Sequence, residues 1–223
     1  MPERAAACRD TTRVYRSAGG PVHALRGVDV DVVAGQVTAI VGPSGSGKST
    51  LLRILAGLDR PTEGTVHVAG TALAGLSRRG RRALRRRHIG FVFARPADNL
   101  VPYLTAAEHL RLAAELRGVD VGDEPARLLR ALGLDHRAGH RPVELSGGEQ
   151  QRLALAAAVI GRPALVLADE PTAELDRASA AALVAGLHDL AGLGVALAVA
   201  THDPVVVESA DRVVLIHDGE VVS

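Results

Sequence analysis

The 223-residue chain has room for one large domain, or for a core that carries a small inserted subdomain. Its 47% apolar content suffices for a core of Ala, Val and Leu, since aromatic residues make up only 2%. A formal charge of +1 gives no global field for nucleic acid or a membrane surface, and the single Cys8 excludes an internal disulfide and fits a reducing cytoplasm.

No window approaches the ~18 uninterrupted apolar residues of a membrane helix. The start, MPERAAACRD, lacks the apolar stretch of ~7–15 residues of a secretory signal. The expectation is a soluble protein that meets a membrane only through a partner.

In chain order, residues 1–12 read as a loosely ordered tail, and Cys8 has no activating partner nearby. Alternating apolar positions over 13–33 predict strands, broken by a turn at Ser17, Ala18, Gly19 and Gly20. Tyr15 lies here; its flat ring could stack on a base, but on this residue alone a half-buried strand position is the better reading. Residues 36–41 then read as a buried strand that runs into Gly42-Pro43-Ser44-Gly45-Ser46-Gly47-Lys48-Ser49-Thr50. This stretch fits G-x-x-x-x-G-K-[ST], and the spacing predicts a helix over 48–58, so strand, loop and helix stand in the order the motif needs. The glycines let the backbone approach an anion, successive N–H groups make a concave nest, and the helix N-terminus adds positive potential. Lys48 reaches β- and γ-phosphates, and the Ser49 hydroxyl suits Mg²⁺.

A breaker cluster at 59–64 precedes a short strand at 65–69. The arginine-rich SRRGRRALRRR at 77–87 suits a solvated helix face better than a nucleic-acid surface, because aromatics for base stacking are absent. Residues 88–93 read as a strand, and 105–133 as helices with a break over 118–125. Ser146 opens an Ala/Leu helix to about Ile160. It serves either as a cap completed by Glu149 or, with Gly147 and Gly148, as a second anion site. The apolar run 164–168 ends in Asp169 and Glu170, at the carboxyl end of what reads as a parallel strand, where α/β sheets bind ligands. Asp169 suits Mg²⁺, and Glu170 suits a general base that polarises water. Residues 195–200 form another buried strand, with His202 just beyond it on the same edge. Asp218-Gly219 signals a closing hairpin.

The order GPSGSGKST, LSGGEQQR, LVLADEP, TAELD and THD resembles the ATP-binding subunit of an ABC transporter, over essentially the whole chain. The wording around YRSAGGPVHALRGVDV and FVF is most similar to the lipoprotein-release and macrolide-export subgroup. The resemblance implies an α/β fold: a phosphate-loop, RecA-like core over about 13–93 and 162–223, an N-terminal antiparallel β-subdomain, and a helical signature subdomain inserted over about 94–161. It implies ATP and Mg²⁺ as ligands, with Tyr15 on adenine, residues 42–50 around the phosphates, and Ser49 and Asp169 at the metal. Glu170 would be the catalytic base and His202 the γ-phosphate contact. Ser146, Gly147 and Gly148 would cap ATP held by a second copy of the chain, with Asp176 communicating across that homodimer.

The implied partner is a separately encoded transmembrane permease at the inner face of the cell membrane, with no nucleic acid. The implied work is export or extraction of a lipid-linked, peptide or drug-like substrate; the alternative is signalling of nucleotide state to a membrane partner, as in cell division. One position departs from the family pattern. Where a glutamine is expected after FVF, the chain has Ala94, which offers no side-chain oxygen; Asp98 or Asn99 are the nearest substitutes.

Overall fold

The structure, a computed structural model, describes residues 3–17 and 19–222. The chain opens with β1 (Arg4–Ser17), β2 (Gly20–Val33) and β3 (Val37–Val41), followed by helix α1 (Lys48–Leu55). Next come β4 (Glu63–Val68), β5 (Thr71–Ala72), α2 (Arg78–His88) and β6 (Ile89–Val92). Helices α3 (Ala106–Arg117), α4 (Glu124–Ala131) and α5 (Gly147–Val159) precede β7 (Leu165–Asp169). The chain then runs through α6 (Arg177–Gly192), β8 (Ala196–Thr201), α7 (Pro204–Ser209), β9 (Arg212–His217) and β10 (Glu220–Val221).

Two sheets result. One is antiparallel, in the order β2-β1-β4-β5. The other has the order β10-β9-β3-β8-β7-β6, with all pairs parallel except the edge hairpin β9–β10. That hairpin turns at Asp218 and Gly219, both with positive φ (49° and 82°), as a two-residue turn between twisted strands requires.

The central parallel strands β3, β7 and β8 are almost wholly apolar because both of their faces are covered. In β8, Ala196, Ala198 and Ala200 pack towards α1 and the antiparallel sheet, among Leu51, Leu52, Ile54, Leu55, Val30 and Val66. Leu197 and Val199 point the other way, towards α5 and α6, among Leu153, Leu155, Leu183 and Leu187. β7 divides in the same way, Leu165 and Leu167 against Val166 and Ala168. This period of two fixes the register, since a slip of one residue would exchange the two cores.

Three expectations are corrected. Residues 4–12 are strand, not tail: Ala6 and Cys8 are buried, and β1 lies between β2 and β4. Arg9 Nη2, 2.6 Å from Asp31 Oδ1, ties down a polar stretch whose own β propensity is low. Helix α1 stops at Leu55, and Glu63 and Gly64, read as part of a breaker cluster, already belong to β4. The predicted turn at 17–20 includes Ala18, which lies outside the described residues. The arginine-rich segment is the helix α2, capped by Ser77, and only Leu84 in it is buried.

Candidate functional site

The carboxyl ends of β3, β7 and β8 lie side by side: Val41 pairs with Thr201, and Asp169 with Ala200. Each strand therefore delivers its following residues to one edge of the sheet. A cavity of about 570 Å³ opens there, lined by Ala24, residues 42–45 and 47–50, Glu170 and His202. Gly42 leaves β3 at φ 153° and passes so close to β9 that a Cβ would drive into the Ile216 carbonyl. Gly47 is the N-cap of α1 at φ 108°, and a Cβ there would meet the Ala24 carbonyl. Both positions are thus closed to side chains by contact as well as by backbone angle. Ser46 is buried inside this turn.

Lys48, the first residue of α1, is 7% exposed, and its Nζ donates to the carbonyl oxygens of Gly42 (2.7 Å) and Pro43 (3.0 Å). The loop is therefore curled around its own ammonium group. The first amides of α1 have no partners within the helix, so cation and amides together make the cavity floor an anion site. Lys48 Nζ also lies 4.0 Å from Glu170 Oε1.

Ser49 Oγ donates to Asp169 Oδ1 at 2.9 Å. Burial pushes the Asp169 carboxyl above its usual range, as does the neighbouring Glu170, against the opposing Ser49 hydrogen bond and Lys48 charge. A hydroxyl and a carboxylate are hard oxygen donors, and their separation matches the roughly 2.9 Å edge of a Mg²⁺ octahedron. Among the described residues no cluster of three His, Cys, Asp or Glu could hold a metal alone, so a Mg²⁺ here would need further oxygens from substrate and water. The residues present fit that ion.

Glu170 has φ 46°, an uncommon conformation for a residue with a Cβ. It is held there by its amide, which donates to Ala200 O (2.8 Å), and by its carbonyl, which accepts from Ala173 N (3.2 Å). The twist turns the carboxylate towards β8. Its Oε2 lies 2.9 Å from His202 Nδ1 and accepts from the His202 amide at 3.3 Å. Glu170, His202 and Lys48 thus surround one end of the cavity, at the mouth of the glycine-rich turn.

Other expected residues lie elsewhere. Ser146, Gly147 and Gly148 start α5 and do not line the cavity. Ser146 is the cap of α5, completed by Glu149. Its Oγ accepts from the Glu149 amide (3.2 Å) and Glu149 Oε2 accepts from the Ser146 amide (2.8 Å), while Ser146 and Gly147 stay exposed. The backbone bond from Ser146, with Arg137 beside it, holds the Glu149 carboxyl below its usual range against slight burial. Asp176 caps α6, accepting from the amides of Ala178 and Ser179 (both 2.9 Å) and from Ser179 Oγ (2.8 Å). Those Ser179 bonds keep its exposed carboxyl well ionised. Tyr15 also stands outside the cavity lining, with its hydroxyl donating to Asp59 Oδ2 at 2.6 Å.

At the departure from the family pattern, neither substitute supplies a free oxygen. Asp98 is paired with Arg95 at 2.9 Å. Asn99 Oδ1 accepts from the Phe93 amide (2.7 Å), and its Nδ2 donates to Phe93 O (3.0 Å) and Arg95 O (3.1 Å). The buried Gln151 donates to the same Phe93 carbonyl at 3.1 Å. Ala94 therefore sits in a loop closed on itself and tied to α5. Sequence reading missed Ala24, which reaches the cavity because the β1–β2 register slips between Arg13↔Leu25 and Val14↔His23. No signal in the residue types marks such a slip.

The sequence profile of the family described as ABC transporter matches residues 25–173. The chain is 42% identical over 217 residues to the macrolide export ATP-binding/permease protein MacB of Shigella sonnei (strain Ss046) and to that of Escherichia coli (strain K12). These matches cover 96% of this chain but 33% of the relatives, so the chain spans about a third of the length of the curated proteins it matches. Among solved structures, the dimeric post-hydrolysis state of the ATP-binding cassette MJ0796 bound to ADP and Pi superposes with a TM-score of 0.85 at 36% identity. That match covers 98% of this chain and 97% of the cassette. cbiO1 from Clostridium perfringens, part of the ABC transporter complex cbiONQ, matches with a TM-score of 0.85 at 28% identity, covering 99% and 88%. The two sheets and the glycine-rich turn are those of a RecA-like phosphate-loop cassette with a β-subdomain, and the chain belongs to the ABC transporter family as one of its ATPase domains.

Proposed function

We propose that the chain binds ATP with Mg²⁺ in the cavity at 42–50, hydrolyses it with Glu170 as general base, and so powers a membrane permease. The observation that carries this reading is the placement of Glu170, His202 and Lys48 around one end of the phosphate-binding turn. Lys48 exchanges its loop carbonyls for phosphate oxygens, a swap that keeps its charge satisfied. Ser49 and Asp169 hold Mg²⁺, which when bound neutralises charge on the β- and γ-phosphates. Glu170 takes the proton of the attacking water, and His202, whose side chain is exposed, holds Glu170 in place and touches the γ-phosphate.

The start of α5 is a second helix N-terminus with exposed residues, outside the cavity. In our reading Ser146, Gly147 and Gly148 serve the nucleotide of a second copy, Asp176 communicates between the copies, and residues 94–161 form the inserted unit that carries the signature. Hydrolysis then puts charge repulsion where the γ-phosphate bond was, and the pair separates. The MacB relatives are macrolide export ATP-binding/permease proteins, which supports work with a permease and, among the cargoes considered, a drug-like one. No helix among the described residues is long and apolar enough to cross a membrane.

Glu170→Gln is the test. ATP affinity should persist while turnover falls by about 10²–10⁴-fold. Wild-type turnover in this variant would place the base elsewhere. One observation favours a second reading, signalling of nucleotide state without transport: the Ala94 loop has no free side-chain oxygen and is pinned by Asn99. Reconstitution with a permease separates the two, since ATP-coupled cargo movement fits only the first.

A further inference from the structure

Tyr15 holds a place that the phosphate chemistry does not explain. It pairs with Val22 across the β1–β2 hairpin, two residues from Ala24, which lines the cavity and abuts Gly47. Tyr15 therefore sits on the same strand pair that brings Ala24 to the cavity. Its two faces are not equivalent. The Arg13 guanidinium carbon lies 4.3 Å from the ring centroid, over one face. Arg13 is itself fixed by Asp59, with Nη2 at 2.8 Å from Oδ1 and Nε at 3.1 Å from Oδ2. Asp59 Oδ2 also accepts the Tyr15 hydroxyl at 2.6 Å. One carboxylate thus holds both the ring and the cation behind it.

Asp59 belongs to the segment that follows α1, whose first turn lines the phosphate cavity. Nearby, Thr62 Oγ1 accepts from the Val14 amide (3.0 Å) and the Thr62 amide donates to Thr12 O (2.7 Å). The segment after the helix is therefore stitched to the tyrosine's strand on either side of Arg13.

We infer that Arg13 and Asp59 are positioning residues that present the face of Tyr15 opposite Arg13 to the purine base of the bound nucleotide. The guanidinium draws π density to its own side of the ring. That leaves the opposite face less negative and better matched to an electron-rich purine. Although burial pushes the Asp59 carboxyl up, the Tyr15 hydroxyl, the Arg60 amide and the Arg13 guanidinium outweigh it and keep the group ionised. The clamp is thus charged whenever nucleotide binds near neutral pH. Through the 59–62 segment it joins the base end of the site to the helix that begins at the phosphates. The inference rests on the reading of Tyr15 as the base platform.

The chain has no tryptophan and two tyrosines, Tyr15 and Tyr103, so Tyr103→Phe leaves Tyr15 as the sole emitter excited above 275 nm. In that background ATP should quench Tyr15 emission and inorganic tripolyphosphate should not. Asp59→Asn and Arg13→Gln should each weaken ATP binding by about tenfold while leaving tripolyphosphate within about twofold, since a ring that is free to turn gives up part of its stacking on the base. Asp59→Glu, which keeps the charge, should recover part of the ATP affinity. Equal losses for both ligands would reduce the pair to a folding role and overturn the inference. If Tyr15→Ala weakens ATP but neither clamp variant does, the platform stands and the clamp fails. If Tyr15→Ala leaves the ATP-to-tripolyphosphate ratio unchanged, the platform itself is wrong.

Discussion

Gly148 at the start of α5 is expected to tolerate no side chain, and the reason is a neighbour rather than a backbone angle. A Cβ built there comes 2.6 Å from Ser179 Oγ and 2.7 Å from Ser179 Cβ. Ser179 cannot simply turn away, because its Oγ donates to Asp176 and its Cβ is carried by the first turn of α6. Overpacking of this kind costs about 1–3 kcal/mol. For a chain of this size, a loss of about 2 kcal/mol lowers Tm by roughly 4–8 °C. Ser179→Gly removes both offending atoms, although alone it costs about 0.5 kcal/mol of helix propensity and a hydrogen bond. Thermal melts of Gly148→Ala, Ser179→Gly and the double variant therefore form a cycle. The double variant should be more stable than the sum by about 1–2 kcal/mol. Because the same packing sets how α5 presents Ser146, ATP turnover should fall in Gly148→Ala more than ATP binding does. A Gly148→Ala protein that melts with the wild type, or strict additivity in the cycle, would refute this account of the helix packing.

Asp169→Asn should stabilise the ligand-free chain near neutral pH while abolishing stabilisation by Mg²⁺-ATP. The Asp169 carboxyl is held above its unfolded value. Its contribution to stability is therefore present in acid and lost as pH rises through the folded pKa, leaving a half-buried charge at pH 7. The Tm difference from wild type should vanish in melts taken well below pH ~3.9. Burial pushes the Cys8 thiol up to about 12. It should resist disulfide reagents at pH 8 in the native state and react at once in denaturant, and its stabilisation should fade as pH rises from ~8.5 towards that value. Asn99→Ala removes three hydrogen bonds of the 93–99 loop and should cost about 1–2 kcal/mol. Hydrogen exchange at the Phe93 amide should accelerate, with ATP affinity unchanged.

What the sequence made legible followed from how local each cause is. Continuous apolar runs identified β3, β7 and β8, because a strand covered on both faces carries that pattern by itself. The glycine-rich turn and the strand-end acids were equally plain, since each lies within a few residues of the strand that aims it. The first strand was not. The stretch RAAACRDTT forms the first part of β1 only because β2 and β4 flank it and Asp31 pairs with Arg9, partners seventeen residues away or more along the chain. Nor did the residues reveal that Tyr15 and Asp59, forty-four positions apart, share a hydrogen bond, or that Ser179 fills the space above Gly148. Ala94 stood out as an absence, but the bonds that close its loop on Asn99 and Gln151 emerge only in the folded chain.

The central claim is that one nucleotide is served by the phosphate turn of one copy and by the start of α5 of another. Mixing two separately inactive chains, Lys48→Ala and Ser146→Arg, tests it most directly. In a mixed pair one of the two sites keeps both an intact Lys48 and an intact Ser146. ATP turnover should therefore rise on mixing to roughly a quarter of wild type, half of all pairs being mixed and each having one good site. Turnover no greater than the sum of the two chains assayed alone would contradict a site built from two copies.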